Sequence, residues 1–115
     1  MSQWSGTFSV QNQYGDTIYN LSVSHTASGC PSQTPIKAAS IDDRAWAGGG
    51  RWQTETTSND NWYWSYHVGG PNGTLVQGNE QCNLERSDAS AILYIGSRGV
   101  SVHPNSSANC YGRNS

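Results

Sequence analysis

The stretch Trp62-Tyr63-Trp64-Ser65-Tyr66-His67-Val68 is the strongest indication of the fold class of this chain. Its first, third, fifth and seventh residues are aromatic or apolar, which is the spacing of side chains on one face of a β-strand. Aromatic and β-branched residues also favour the pleated, half-buried surface of a sheet. The glycine-rich residues 69–73 follow and contain Asn72-Gly73, a strong hairpin signal. We therefore expect the chain to turn there and to resume as a strand over residues 74–77.

The same alternation recurs on both sides of this strand, and no long window shows the spacing of 3, 4 and 7 that is typical of a helix. Further strands are expected over residues 4–10, 19–25, 36–41, 51–57, 91–95 and 99–103. Residues 48–50, all glycine, predict a flexible break or a tight turn, and residues 104–115 are expected to form a loop. Strands about 8–12 residues apart indicate a β-sandwich or a barrel. We predict an all-β, antiparallel β-sandwich that forms one domain over residues 1–115.

The composition is that of a folded chain without a basic binding surface. Of the 115 residues, 34% are hydrophobic and only 12% are charged, and the chain has five Trp and six Tyr. Disordered chains are rich in charge and poor in aromatics, so we expect a folded protein. The net charge of −2 and the single lysine, Lys37, argue against nucleic acid as a partner and against electrostatic attraction to anionic lipid. Contact with a membrane would then require recognition of a head group or insertion of aromatic rings.

The N-terminal residues and the cysteines give information about the cellular compartment of the protein. No basic segment followed by an apolar stretch begins the chain, and the longest apolar run, residues 91–95, is far too short to span a membrane. A cytosolic location, export by a route without such a signal, and a mature form whose leader has been removed are all compatible. Three cysteines allow at most one internal disulfide, for which Cys82 and Cys110 are the preferred pair. Three free thiols, Cys30 included, are the open alternative.

No catalytic motif is found in the sequence. A Gly-x-Ser-x-Gly elbow, a phosphate-binding loop and a dinucleotide-binding loop are all missing. The histidines are isolated from one another, and the carboxylates mostly lie where turns are expected. Asn59-Asp60-Asn61 could offer oxygen ligands to calcium, but the spacing of a known calcium loop is missing. We expect no enzyme, no metal and no cofactor.

The aromatic residues near the predicted strand are the strongest candidates for a function. Amphipathic rings beside amides and hydroxyls suit sugars, choline-like head groups or the membrane interface. If Trp62, Trp64 and Tyr66 point inward, Tyr63 and His67 point outward; the reverse would expose a row of three rings. In both cases at least one aromatic side chain must face solvent. The predicted ligand-binding residues are Trp52, Asn59, Asp60, Trp62, Tyr63, Trp64 and His67.

Residues 8–18, Phe-Ser-Val-Gln-Asn-Gln-Tyr-Gly-Asp-Thr-Ile, together with Gly49-Gly50-Arg51-Trp52-Gln53-Thr54, resemble the aegerolysins and their bacterial insecticidal relatives. The resemblance covers the first half of the chain. It implies a small Trp-rich β-sandwich that recognises membrane lipids and works with a larger pore-forming partner. Trp52 is the one residue that the resemblance carries over from the family's motif. We therefore expect a non-catalytic protein that binds lipid head groups or glycans on target cells in a toxin or defence role. A lectin without membrane activity, with its site at Asn59, Asp60, Tyr63 and Trp64, is one alternative. A small hydrolase or an enzyme inhibitor is another.

Overall fold

The computed structural model describes residues 2–115, and these residues form nine β-strands and no helix. The strands are β1 (Gln3–Asn12), β2 (Ile18–Thr26), β3 (Ile36–Ile41), β4 (Trp46–Glu55), β5 (Asn61–Val68), β6 (Thr74–Gln81), β7 (Ser90–Ile95), β8 (Gly99–Pro104) and β9 (Cys110–Arg113). Eight of them, all but β9, overlap a strand that the sequence predicted. The β5–β6 and β7–β8 hairpins form as predicted.

The strands are arranged in two sheets that pack face to face. One sheet has five strands in the order β4-β1-β7-β8-β9, and the other has four strands in the order β3-β2-β5-β6. Neighbouring strands are antiparallel except for β1 and β7, which run parallel. The predicted all-β sandwich is therefore confirmed, and each sheet has one face in the core and one face at the surface.

The sheets are also joined to each other along both sides. On one side, the backbones of Thr34 and Arg51 exchange two hydrogen bonds of 3.0 Å, which connects β4 to the segment before β3. On the other side, Gly78 of β6 bridges Asn114, and the Ser115 N–H donates to the Gln77 carbonyl at 2.8 Å. These bridges satisfy backbone groups that an open sheet edge would leave unpaired.

Tryptophan and tyrosine fill much of the core because the chain has one Phe and few Leu or Ile. Trp52, Trp62 and Tyr66 are fully buried, and the rings of Phe8 and Trp62 meet edge to face at 5.2 Å. The indole N–H groups of Trp52 and Trp62 donate to backbone carbonyls at 3.0 and 3.2 Å, as buried indoles require. Burial raises the pKa of Tyr66 to about 12, so its hydroxyl stays neutral.

Residues 48–50 are not a break but lie within β4, which contradicts the sequence prediction. The pairing of β1 with β4 shifts in register between Phe8 and Val10, and Gly49 has a φ of 87°, a backbone conformation that favours glycine. A Cβ on Gly50 would lie 2.5 Å from the Phe8 ring. The glycines therefore accommodate a bulge and a close ring contact inside a continuous strand.

The C-terminal residues are not all loop either, because β9 adds a fifth strand to the larger sheet. The predicted pairing of Cys82 with Cys110 is confirmed, with 5.8 Å between the two Cα atoms, and it fastens the start of β9 to the end of β6. Cys30 is a buried free thiol. Burial and the charges of Glu55 and Asp60 raise the pKa of Cys30.

Candidate functional site

Strand β5 places Trp62, Trp64 and Tyr66 in the core, and its alternate residues face outward. Among the outward residues, Tyr63 is 43% exposed and His67 is half-buried. The expectation that this strand presents at least one aromatic side chain to solvent is therefore confirmed. That side chain is Tyr63.

Three of the predicted ligand-binding residues have buried side chains, since Trp52, Trp62 and Trp64 are at most 2% exposed. Because the chain has few other large apolar side chains, these three rings fill the core. Their contact with a ligand stays a prediction. Asp60 is also buried, so of the predicted set only Asn59, Tyr63 and His67 retain accessible side chains.

Asp60 is occupied by hydrogen bonds within the protein. Its carboxylate lies 2.7 Å from His25 Nε2 and accepts the Leu84 N–H at 2.8 Å. The other ring nitrogen of His25 lies 2.7 Å from Gln33 Oε1, which also accepts the Gln53 N–H. The Gln33 amide donates to two backbone carbonyls, so its oxygen must face His25 and the Nδ1 of that ring must donate.

His25 and Asp60 are each 1% exposed, and the His25 ring lies 4.8 Å from that of Trp62. This buried pair therefore joins β2 to the start of β5 inside the core. The pair could not be predicted from the sequence, because positions 25, 33 and 60 show no shared motif.

The outer face of the four-stranded sheet brings small polar residues together around Tyr63. The cross-strand pairs give one row of Ser24, Tyr63 and Asn79, and a second row of Ser22, Ser65 and Gln77. Because serine side chains are short, the surface beside the Tyr63 ring is a depression of about 270 Å³. We call it the Tyr63 depression. The residues that line it carry no charged side chain; they are Ser22, Ser24, Tyr63, Trp64, Ser65, Gln77, Gly78, Asn79 and Ser115.

The segment that follows β9 forms one wall of the Tyr63 depression. Asn114 Oδ1 accepts the indole N–H of Trp64 at 2.8 Å, and Ser115 is held to Gln77 by its backbone N–H. The buried Trp64 side chain, which packs in the core, thus also holds the wall of the depression through this hydrogen bond. Because the disulfide fastens the start of β9, the covalent link and the wall of the depression lie on the same short segment, residues 110–115.

Asn59 and His67 are not brought together at the Tyr63 depression. Asn59 precedes β5, whereas His67 is close to its other end, and a strand of this length separates them by roughly 20 Å. His67 pairs with Tyr19 and Leu75, and its buried Nδ1 has no hydrogen-bond partner in the structure. Of the accessible predicted residues, only Tyr63 therefore lines the depression.

The outer face of the five-stranded sheet carries a second set of aromatic side chains. The Trp46 ring meets Tyr94 at 6.0 Å, and Tyr94 meets His103 at 4.8 Å, both edge to face. Trp46 is 53% exposed, and Tyr111, on the last strand of the sheet, is 51% exposed. We call this surface, formed by Trp46, Tyr94, His103 and Tyr111, the Trp46 face. No local sequence pattern predicted this surface, because its members lie on four different strands.

The structure gives few groups suited to catalysis or metal binding at the surface. Within residues 2–115, His67 and His103 form no hydrogen bond or ion pair with a carboxylate, and no three His, Cys, Asp or Glu side chains converge on a metal position. The same residues contain no helix that is long and apolar enough to span a membrane. That the protein works without catalysis, metal or cofactor stays a prediction.

Comparison with known proteins gives no family assignment for this chain. No protein-family model matches the sequence, and no curated protein matches it. The resemblance to the aegerolysins therefore stays a prediction, and a function has to be argued from the residues themselves.

Proposed function

We propose that this chain is a non-catalytic recognition protein that binds carbohydrate at the Tyr63 depression. The observation that carries the proposal is the partly exposed Tyr63 ring beside a concave surface lined by hydroxyl and amide side chains. Ligand sites of this kind combine a concave apolar or aromatic surface with a few convergent polar groups.

The chemistry of the lining matches that of a sugar. One face of a pyranose ring is largely C–H and stacks on an aromatic ring, while its hydroxyl groups both donate and accept hydrogen bonds. Ser22 and Ser65 offer hydroxyls, and Gln77 and Asn79 offer amides that can do both as well. Because all four lie on paired strands, their backbone positions are fixed before a ligand arrives. Serine also has little rotamer entropy to lose on binding.

The biological setting rests on the resemblance alone. If the chain is similar to the aegerolysins in function, recognition takes place on target cells, in a toxin or defence role and beside a larger pore-forming partner. The Tyr63 depression requires none of these features, since a lectin without membrane activity would use it in the same way.

A glycan array tests the proposal. We expect wild-type protein to bind a subset of the oligosaccharides, Tyr63→Ala to weaken that binding at least tenfold, and Tyr63→Phe to retain most of it, because the ring rather than the hydroxyl does the stacking. Trp46→Ala is the matched control, an aromatic truncation on the other sheet. Absence of binding to every glycan, or equal binding by wild type and Tyr63→Ala, would contradict the proposal.

A second candidate function is contact with the membrane interface through the Trp46 face. The observation in its favour is that Trp46 and Tyr111 are each about half exposed on one sheet face, and Trp and Tyr rings prefer the head-group region of a bilayer. Sedimentation with lipid vesicles, comparing wild type with Trp46→Ala, is the test.

A further inference from the structure

The Tyr63 depression continues across the sheet into a second one. A neighbouring depression of about 390 Å³ is lined by residues of β2 and β3 that include Asn20, Lys37 and Ala39. Ser22 lines both depressions, so they are adjacent. The strand register explains this continuity, because Lys37, Ser22, Ser65 and Gln77 form one row across all four strands of the sheet.

One side chain of this continuous surface carries a charge. Lys37 is the only lysine of the chain, and its ammonium is the only charged side chain among the residues that line the two depressions. The ion pairs found within residues 2–115 are His25–Asp60 and Asp43–Arg44, and Lys37 belongs to neither. A lone ammonium without an ion-pair partner, beside side chains that are otherwise uncharged, favours a ligand that carries a negative charge at the same end.

The distance between the ring and the ammonium sets a minimum ligand length. Tyr63 pairs with Ser24, and Lys37 pairs with Ser22, so the two residues lie two strands apart and two positions apart along the strands. With standard strand spacings, about 12 Å separates their Cα atoms. A single sugar ring stacked on Tyr63 covers only the near part of that span, so Lys37 would meet a second or later unit.

We infer that the natural ligand is an acidic oligosaccharide of at least two units that runs across the strands, stacks on Tyr63 and places a carboxylate or sulfate at Lys37. This inference rests on the proposed carbohydrate function. Carboxylates and sulfates share the feature that Lys37 would recognise, an anionic oxygen that accepts a charge-assisted hydrogen bond from the ammonium.

The test is a glycan array that displays oligosaccharides of one to four units, each in neutral, carboxylated and sulfated forms. Wild type is expected to bind acidic disaccharides and longer chains at least tenfold more tightly than their neutral counterparts. Lys37→Gln should abolish that preference, whereas Lys37→Arg should keep most of it. High salt should reduce the preference in wild type and have no such effect in Lys37→Gln.

The outcomes separate this inference from the function on which it rests. If neutral and acidic glycans bind equally in a Tyr63-dependent manner, or if Lys37→Gln retains the acidic preference, this inference is wrong and the carbohydrate function stands. If acidic monosaccharides bind as tightly as longer chains, the cross-strand placement is wrong. If no glycan binds, or if Tyr63→Ala binds like wild type, the carbohydrate function itself fails. The carboxylated and sulfated forms identify which acidic group is preferred.

Discussion

The outer faces of the two sheets both present aromatic side chains, but they do so in different surroundings. On the four-stranded sheet, Tyr63 lies among short serines and amides, which leave a depression beside the ring. On the five-stranded sheet, Trp46, Tyr94 and His103 contact one another edge to face. Rings that contact each other cover part of their own surface and form a broad aromatic patch. A ring with small neighbours leaves part of its surface accessible to a ligand.

The difference shows that the size of the side chains around an exposed ring decides whether a ligand can reach that ring. Ser22 and Ser65 occupy the row next to Tyr63, and each ends one atom beyond Cβ. On the other sheet, the Tyr94 ring contacts both the Trp46 ring and the His103 ring, so aromatic rings fill the space that serines leave open around Tyr63. The polar depression therefore suits a small polar ligand, and the Trp46 face suits an extended interface.

Removal of the disulfide between Cys82 and Cys110 is expected to have the largest effect on stability. The double variant Cys82→Ala/Cys110→Ala should lose roughly 3–4 kcal/mol of unfolding free energy, the entropic value for a closed loop of this length. Because β9 leads into Asn114 and Ser115, glycan binding at the Tyr63 depression should weaken as well. Urea unfolding and the glycan array measure the two effects.

Cys30→Ala is the control for the disulfide variant, since it also removes a buried sulfur but leaves β9 fastened. It should cost about 1 kcal/mol at most and leave glycan binding intact. If the double variant unfolds at the same urea concentration as wild type, β9 does not depend on the disulfide. The wall of the depression must then be held by its hydrogen bonds alone.

Asp88→Asn is expected to have an intermediate effect on the free energy of unfolding. The effect should not favour the Tyr63 depression over the Trp46 face. Asp88 is buried and accepts hydrogen bonds from the backbone of Glu85, Ser106 and Ser107, joining the β6–β7 and β8–β9 loops. The variant should lose about 2 kcal/mol, because an amide nitrogen cannot accept the donors that one carboxylate oxygen now satisfies. Glu85→Gln, an exposed acid in the same loop, is the matched control and should change little.

Asp88 also predicts a pH dependence of stability. Burial opposes ionisation, but the hydrogen bonds from Glu85, Ser107 and Ser106 outweigh it and lower the pKa of Asp88 to about 2. A lowered folded-state pKa means that the stabilisation is complete above the usual value of 3.8 and is lost as pH falls toward 2. Urea unfolding between pH 5 and pH 2, in steps of about one unit, should show this loss in wild type and Glu85→Gln. A parallel loss in Asp88→Asn would refute the assignment.

Trp46→Ala is expected to have the smallest effect on stability and to test whether the two sheet faces bind different partners. Because Trp46 is 53% exposed, its loss should cost no more than about 0.5 kcal/mol. If the Trp46 face contacts membranes, the variant should sediment with lipid vesicles at least threefold less than wild type. Tyr63→Ala, an aromatic truncation on the other sheet, should sediment like wild type. Equal sedimentation of Trp46→Ala and wild type, or none by either, would remove the membrane function from this face.

Much of the fold followed from local patterns. The alternation from Trp62 to Val68 predicted a strand and the side chains that share its faces, and that prediction is correct because one face of such a strand must be buried. Residues 48–50 were misassigned because glycine runs usually mark turns, whereas here the register shift opposite Phe8 and Val10 keeps them within a strand. The strand β9 was missed because its four residues lack an apolar alternation and depend on the disulfide and on β8 for their position.

The sequence alone was sufficient to predict an all-β sandwich and to place Tyr63 on the face of its strand opposite Trp62 and Trp64, because alternation within a strand fixes which side chains share a face. The packing of the two sheets then showed that Trp62 and Trp64 point inward. The tertiary structure also brought Ser22, Ser65, Gln77 and Lys37 into one row and Trp46 beside Tyr94. Strand register sets such neighbours, and it depends on pairing between distant segments that no local pattern specifies.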